Sequence, residues 1–102
     1  MAQEERQKES LVKTRTRAKE PKRFAVFILN DDFTTFDFVI HVMVSVFMKS
    51  HAQAEEIAET THLNQKAKVG EYPYDIAISR VEKATAMARA EGFPLRFTVE
   101  QI

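Results

Sequence analysis

Three polar residues, Asn30, Asp31 and Asp32, directly follow an apolar run that ends at Leu29. A six-residue run rich in Val, Ile and Phe is typical of a buried strand. The sequence therefore holds an amide and two carboxylates where that strand leaves the core. An α-ammonium group has three donors and suits such a cluster of acceptors, and each charge-assisted hydrogen bond contributes about 1.5 to 3 kcal/mol.

A purely structural role also explains these residues, because Asn and Asp are common turn formers whose side chains accept from nearby backbone amides. His62 is a further candidate ligand, on the apolar face of a predicted short helix. A lone histidine in that position is more often a core or helix-end residue than a ligand. Spacing along the chain leaves both interpretations open, since it cannot show contact between Asn30 and His62.

The first half of the chain predicts one strand and two helices. The strand covers about Arg23–Leu29, and a helix follows it to about Lys49, with Thr34 as N-cap and Asp37 in its first turn. Ser50 and Gln53 form a capping-box pattern before a second helix of about Ala52–Leu63. The inward face of that helix is predicted to carry Ile57, Ala58, Thr61 and His62.

The second half predicts a strand over about Lys66–Tyr72, closed by Gly70 and Pro73, then a third helix that Gly92 stops. That helix has a stripe of small residues at Ala77, Val81, Ala84 and Ala88. A last strand follows, in which alternate residues are apolar, namely Leu95, Phe97 and Val99. The expected fold is α+β, in the order βααβαβ, with a small three-stranded sheet packed against three helices.

Length and composition limit the chain to one modest domain. Residues 1–22 contain only Leu11 and Val12 as sizeable apolar side chains, so they are predicted to form a disordered arm before a core domain of residues 23–102. No window approaches the ~18 consecutive apolar residues of a membrane span. With no cysteine in the chain, we expect a cytoplasmic protein that does not interact with membranes.

The formal net charge of zero conceals an asymmetry. Residues 1–23 hold eight Lys or Arg and four Glu, whereas residues 24–102 hold seven Lys or Arg and eleven Asp or Glu. An acidic domain binds nucleic acid poorly, because neutralisation of phosphates dominates that affinity. It favours cationic ligands such as a free α-ammonium group.

Residues 23–102 resemble the ClpS family, adaptors that hand substrates with a bulky N-terminal residue to the ATP-dependent Clp protease. The matching features are the strand followed by Asn-Asp-Asp, an aromatic residue and Thr, together with the motifs Phe38-Val39, His62, Lys66-Ala67, Gly70 before an aromatic residue, Ile76-Ala77 and Pro94-Leu95. Each piece is weak alone, and the combination is specific.

The resemblance implies roles for individual residues. Asn30, Asp32 and His62 would hold the substrate's amino group, and Asp31 would organise the turn or touch the next peptide unit. The hydrophobic socket for the first side chain would comprise Thr34, Thr35, Phe36, Val39, Ala58, Thr61 and Leu95. Phe33, Asp75 and Arg80 would face the N-terminal domain of a ClpA-like AAA+ unfoldase. The resemblance implies a binding module that is not an enzyme and needs no cofactor.

Three departures from the usual family pattern concern the socket. This chain has Thr34-Thr35-Phe36 where the family usually has Thr-Pro-Met. It has Ala58 at the position of a gating methionine, and Thr61 where a valine usually precedes the histidine. These changes leave the amino-group site intact and alter the shape of the socket, and with it the preference among first residues.

Two other functions fit parts of the pattern. The strand and helix order also resembles the C-terminal domain of the ribosomal stalk protein, which would make the chain a ribosome-associated or factor-docking module, but that domain needs a Lys-rich docking helix. Paired carboxylates after a strand also resemble phospho-accepting receiver domains. A receiver requires a five-stranded parallel sheet, which neither this length nor this order supplies.

Overall fold

The computed structural model describes residues 22–102. Its elements are β1 (Arg23–Leu29), α1 (Phe36–Ser45), α2 (His51–Asn64), β2 (Lys66–Pro73), α3 (Tyr74–Ala90) and β3 (Arg96–Gln101). The predicted order βααβαβ and the three-stranded sheet are confirmed. The predicted disordered arm lies outside the described residues, apart from Lys22. Within residues 22–102 no helix is both long enough and apolar enough to cross a membrane.

The sheet has the order β2-β1-β3, and both pairs of neighbouring strands are antiparallel. β1 is the central strand, and two side chains of its apolar run, Val26 and Ile28, are fully buried in the main core. This antiparallel sheet of three strands excludes the receiver-domain interpretation. The register pairs Leu29 with Lys66, so the end of β1 lies beside the start of β2.

The core between sheet and helices combines large and small side chains. Val42 and Met43 of α1 are fully buried. Helix α3 contributes Ala77, Ala84 and Ala88, which are also fully buried, so its predicted stripe of small residues forms a buried face. Alanines on this face let α3 approach the sheet closely, because they add no side-chain bulk to the contact.

Two predicted boundaries of α1 were wrong. Thr35, rather than Thr34, is the N-cap, and its hydroxyl accepts from the backbone N–H of Phe38 at 3.1 Å. The helix ends at Ser45 instead of continuing to about Lys49. Met48 has a φ of 57°, a left-handed conformation that a right-handed helix cannot contain. The chain turns there and reaches Ser50, which caps α2.

The loop between α3 and β3 is held by Arg89. Gly92, which ends the helix as predicted, has a φ of 79° that favours glycine. Nη1 of Arg89 then donates to the backbone carbonyl oxygens of Phe93 at 2.7 Å and Leu95 at 2.9 Å. These bonds fix the residue before β3, Leu95, whose side chain is 1% exposed.

Candidate functional site

A cavity of about 370 Å³ opens where β1 ends, between α1 and α2. Its lining comprises Leu29, Asn30, Asp31, Asp32, Thr34, Phe36, Val39, Ala58, Thr61, His62 and Leu95. We call Val39, Ala58, Thr61 and Leu95 the floor, and Asn30, Asp31, Asp32 and His62 the rim.

The floor is buried and apolar in character. The side chains of Val39, Ala58 and Leu95 are at most 8% exposed. Thr61 is the one buried polar residue of this group, and its hydroxyl donates to the backbone carbonyl oxygen of Ile57 at 2.7 Å. Because this hydroxyl already donates a hydrogen bond within its own helix, it does not need a polar group of a ligand as partner. The floor suits a hydrophobic side chain.

Asp31 builds the turn that forms one side of the rim. Its Oδ1 accepts from the backbone N–H groups of Phe33 at 2.8 Å and Thr34 at 2.7 Å, and its Oδ2 accepts from the Thr34 hydroxyl at 2.6 Å. Partial burial raises the pKa of Asp31, but these hydrogen bonds, with the charge of Arg96, outweigh it and hold the pKa below its usual 3.8. Asp31 is therefore ionised, and its carboxylate oxygens stabilise the turn by accepting hydrogen bonds.

Asp32 and His62 are exposed, whereas Asn30 is half-buried. Among residues 22–102 the side chains of Asp32 and His62 have no hydrogen-bond partner, so their polar atoms are available to a ligand. Asn30 uses its side-chain Nδ2, which donates to Oε1 of Gln65 at 3.3 Å. Its Oδ1 is thereby left as an acceptor.

The structure brings most of the predicted site together. All four residues proposed for the amino group line the cavity, as do six of the seven proposed for the socket. Thr35 does not line it, because its side chain is committed to capping α1. His62 was predicted to face inward but is exposed, and it lies at the rim of the cavity.

Leu29 and Gln65 are the two residues near the cavity that the sequence analysis did not identify. Leu29 is half-buried and lines the cavity at the end of β1. Its place in an apolar run made it indistinguishable from the core residues of that strand. Gln65 follows α2 in a left-handed conformation with a φ of 69°, and nothing in its residue type signals that conformation.

The three residues predicted for docking lie in two separate grooves. Asp75 and Arg80 share one groove with Val46, Met48 and Ile76. Phe33, which is 74% exposed, lines another with Arg89 and Phe93. Along α3 the first groove extends to Lys83, and Arg89 of the second lies six residues further on, about 9 Å by the rise of a helix.

Arg80 is strongly engaged within its groove. Its Nη1 donates to the backbone carbonyl oxygen of Val46, and its guanidinium lies over the ring of Tyr72 at 5.8 Å from the ring centroid. Its Nε is buried and has no partner within residues 22–102.

Residues 19–98 match the model of the family described as ATP-dependent Clp protease adaptor protein ClpS. The chain belongs to the ClpS family. A ClpS of Nautilia profundicola is 44% identical over 82 residues, which cover 80% of this chain and 84% of the relative. One of Oleidesulfovibrio alaskensis is 43% identical over 84 residues, which cover 82% of this chain and 81% of the relative.

A solved structure of ClpS2 from Agrobacterium tumefaciens, bound to L-phenylalaninamide, has the same fold. The TM-score is 0.78 at 36% sequence identity, with 81% of this chain and all of that chain covered. As a ClpS, the protein is an adaptor of the ATP-dependent Clp protease and not an enzyme. This finding replaces the ribosome-associated interpretation of the strand and helix order.

Proposed function

We propose that this adaptor binds substrates through a free N-terminal residue that is large and hydrophobic, namely Leu, Phe, Tyr or Trp, and delivers them to a ClpA-like AAA+ unfoldase. The observation that carries the proposal is the cavity itself, which joins an apolar buried floor to a rim with free acceptors on Asn30, Asp32 and His62. An N-terminal hydrophobic residue has the matching pair of groups, an apolar side chain and an ammonium group, on one carbon atom.

The rim supplies acceptors of three kinds for the ammonium group. These are Oδ1 of Asn30, the carboxylate of Asp32 and a ring nitrogen of His62. Three acceptors match the three N–H donors, and the carboxylate also compensates the charge. The oxygens of Asp31 already accept three hydrogen bonds. Asp31 therefore contributes indirectly, by stabilising the turn.

The floor supplies the place for the first side chain. Val39, Ala58, Thr61 and Leu95 form its base, with Thr34 and Phe36 at its side. L-phenylalaninamide, the ligand of the related ClpS2, supports this assignment by its chemistry. It has a free amino group, a benzyl side chain, and an amide in the position of the first peptide bond.

Burial of a Leu or Phe side chain contributes about 1.5 to 3 kcal/mol, and the ammonium bonds add to it. The loss of translational and rotational freedom on association opposes binding. We therefore expect an affinity in the micromolar range, near about −8 kcal/mol.

A pair of peptides tests the proposal directly. One begins with a free Phe and the other has the same sequence with an acetylated amino group, and a fluorescent label lies at the far end of each. The acetyl group removes the charge and two donors, so we expect fluorescence anisotropy to show binding of the free peptide alone. Equal affinity for the two peptides would exclude recognition of the amino group. A peptide that begins with Ser controls for the side chain.

For delivery, we propose that the unfoldase N-terminal domain contacts the groove of Asp75 and Arg80, with Phe33 as a second contact on its own surface. The exposed carboxylate of Asp75 offers an acceptor in this groove, beside the positive charge of the Arg80 guanidinium. Asp75→Ala should weaken binding to the isolated N-terminal domain and leave binding to the Phe-first peptide unchanged. Loss of both would indicate a folding defect instead.

We further propose that residues 1–20 serve delivery rather than peptide recognition, in a cytoplasmic setting shared with the protease. The support is compositional, since that segment is basic and poor in apolar residues. Its deletion should leave peptide affinity unchanged and slow degradation of a Phe-first substrate by the Clp protease. Normal degradation with the truncated protein would refute the delivery role.

A further inference from the structure

We infer that Gln65 is a positioning residue for substrate binding, because it fixes which end of the Asn30 amide faces the cavity. The inference rests on the proposed function, in which Asn30 accepts a hydrogen bond from the substrate's ammonium group. Gln65 does not itself line the cavity. Its effect must pass through Asn30.

Two contacts join the residues. The backbone N–H of Asn30 donates to the backbone carbonyl oxygen of Gln65 at 2.9 Å, and Nδ2 of Asn30 donates to Oε1 of Gln65 at 3.3 Å. The first bond holds the end of β1 against the end of α2. The second uses the donor end of the Asn30 side chain and so turns the acceptor end, Oδ1, to the other side.

The orientation matters because an Asn side chain has two chemically opposite ends. Its carbonyl oxygen attracts an ammonium group, whereas its NH₂ group repels one. Without a partner, the Asn30 amide would rotate and present either end. A partner that accepts from Nδ2 removes the unfavourable orientation before the substrate arrives, which is a form of preorganisation.

The backbone at Gln65 supports a role for its side chain. Gln65 has a φ of 69° and a ψ of −8° at the end of α2, a position where glycine is the favoured residue. A side chain there carries a conformational cost that glycine avoids. The carbonyl contact with Asn30 needs no side chain, so the contact that a glycine would lose is the one to Nδ2.

Gln65→Gly tests this division of roles. Glycine adopts the same backbone without strain, so the melting temperature should stay the same or rise, while affinity for a Phe-first peptide should fall about three- to tenfold, the effect of one exposed hydrogen bond. A residue that only supported the fold would lower stability and affinity together. Unchanged affinity would overturn the inference.

Two charged variants test the direction of the hydrogen bond. The carboxylate of Gln65→Glu can only accept, so it should preserve the orientation of Asn30 and keep or raise peptide affinity. The ammonium group of Gln65→Lys can only donate, so it should attract Oδ1 of Asn30, turn NH₂ towards the substrate and weaken binding more than Gln65→Gly does. Equal affinities for Glu and Lys would contradict the inference.

The neighbouring Asn64 provides matched controls, because it is exposed and does not line the cavity. Asn64→Glu and Asn64→Lys introduce the same charges one residue away. If they reproduce the effects seen at Gln65, the effects arise from long-range charge and the inference fails. If they have little effect, the orientation of Asn30 is the cause.

The Asn30→Ala background completes the test. Once the Asn30 amide is removed, Gln65→Gly should cause no further loss of affinity, whereas an equal loss in both backgrounds would exclude action through Asn30. These outcomes differ from a failure of the proposed function. In that case the wild-type protein would bind free and acetylated peptides alike, and the inference would fail together with the proposed function.

Discussion

The floor and the rim of the cavity meet on α2, yet they differ in burial and in hydrogen bonding. Thr61 of the floor and His62 of the rim are consecutive residues, one buried and the other exposed. Floor residues pack within the main core, whereas Asp32 and His62 have no partner within the part of the chain that the structure describes. Stability and recognition of the side chain are therefore coupled in the floor, whereas recognition of the amino group is separable in the rim.

A large truncation in the floor should show this coupling most strongly. Leu95→Ala should lower the free energy of unfolding by about 2 to 5 kcal/mol, because it leaves a void beneath the cavity. Urea denaturation measures the change. Leu63→Ala is the control, since Leu63 is 68% exposed and its truncation should cost less than about 0.5 kcal/mol. Similar losses from both variants would show that the floor is not part of the core.

A truncation in the rim should have the opposite profile. Asp32→Ala should weaken binding of a Phe-first peptide by about 1.5 to 3 kcal/mol, the contribution of one charged hydrogen bond, and change the free energy of unfolding by less than about 0.5 kcal/mol. Anisotropy and urea denaturation test the two halves. Glu59→Ala removes the same charge from an exposed position of α2 outside the cavity and should affect neither. Normal peptide affinity in Asp32→Ala would remove Asp32 from the site.

Enlarging a floor residue should change the selectivity of the cavity for the first side chain of a peptide. We expect Ala58 to leave room beside the first side chain, so that Ile- and Val-first peptides bind detectably, though more weakly than Leu or Phe. Ala58→Met should penalise the β-branched pair most, by about 1 to 3 kcal/mol of steric overlap. Ala52→Met, on the exposed face of α2, is the control. An equal loss for every first residue would mean that Ala58 does not gate the cavity.

The effect of pH should be the smallest and should act on the rim alone. A histidine that accepts a hydrogen bond from an ammonium group must be neutral, because a protonated imidazole has no acceptor. If His62 accepts from the ammonium group, peptide binding should therefore be weaker at about pH 5.5 than at about pH 7.5. His62→Asn keeps an acceptor without this titration and should give a flat profile. A flat profile in the wild-type protein would assign His62 a structural role.

Asp31 should not contribute to that decline. Its pKa lies below 3.8 in the folded protein, so the stability that it provides is present above its unfolded pKa and is lost only as the pH falls through the lower folded value. The turn therefore stays intact at pH 5.5. Circular dichroism at both pH values checks that the protein remains folded.

Local signals in the sequence predicted the start of a helix well where a single residue could act as its N-cap. The capping box of α2 is an example, since Ser50 and Gln53 make both reciprocal bonds at 3.1 Å. The start of α1 was harder, because Thr34 and Thr35 are equally good caps by residue type. The choice between them depends on Asp31, which engages Thr34 and leaves Thr35 to cap the helix.

The sequence by itself determined the α+β order, because periodicity and residue type are local properties that survive without tertiary contacts. The floor and the acceptors of the rim were predicted from the resemblance to the ClpS family. Only the tertiary structure decided that Asn30 and His62 share one cavity. The register of β1 with β2 pairs Leu29 with Lys66 and brings Asn30 against Gln65, three residues after His62. The physical reason is that strand pairing joins residues far apart in the chain through backbone hydrogen bonds, which residue types and spacing do not reveal.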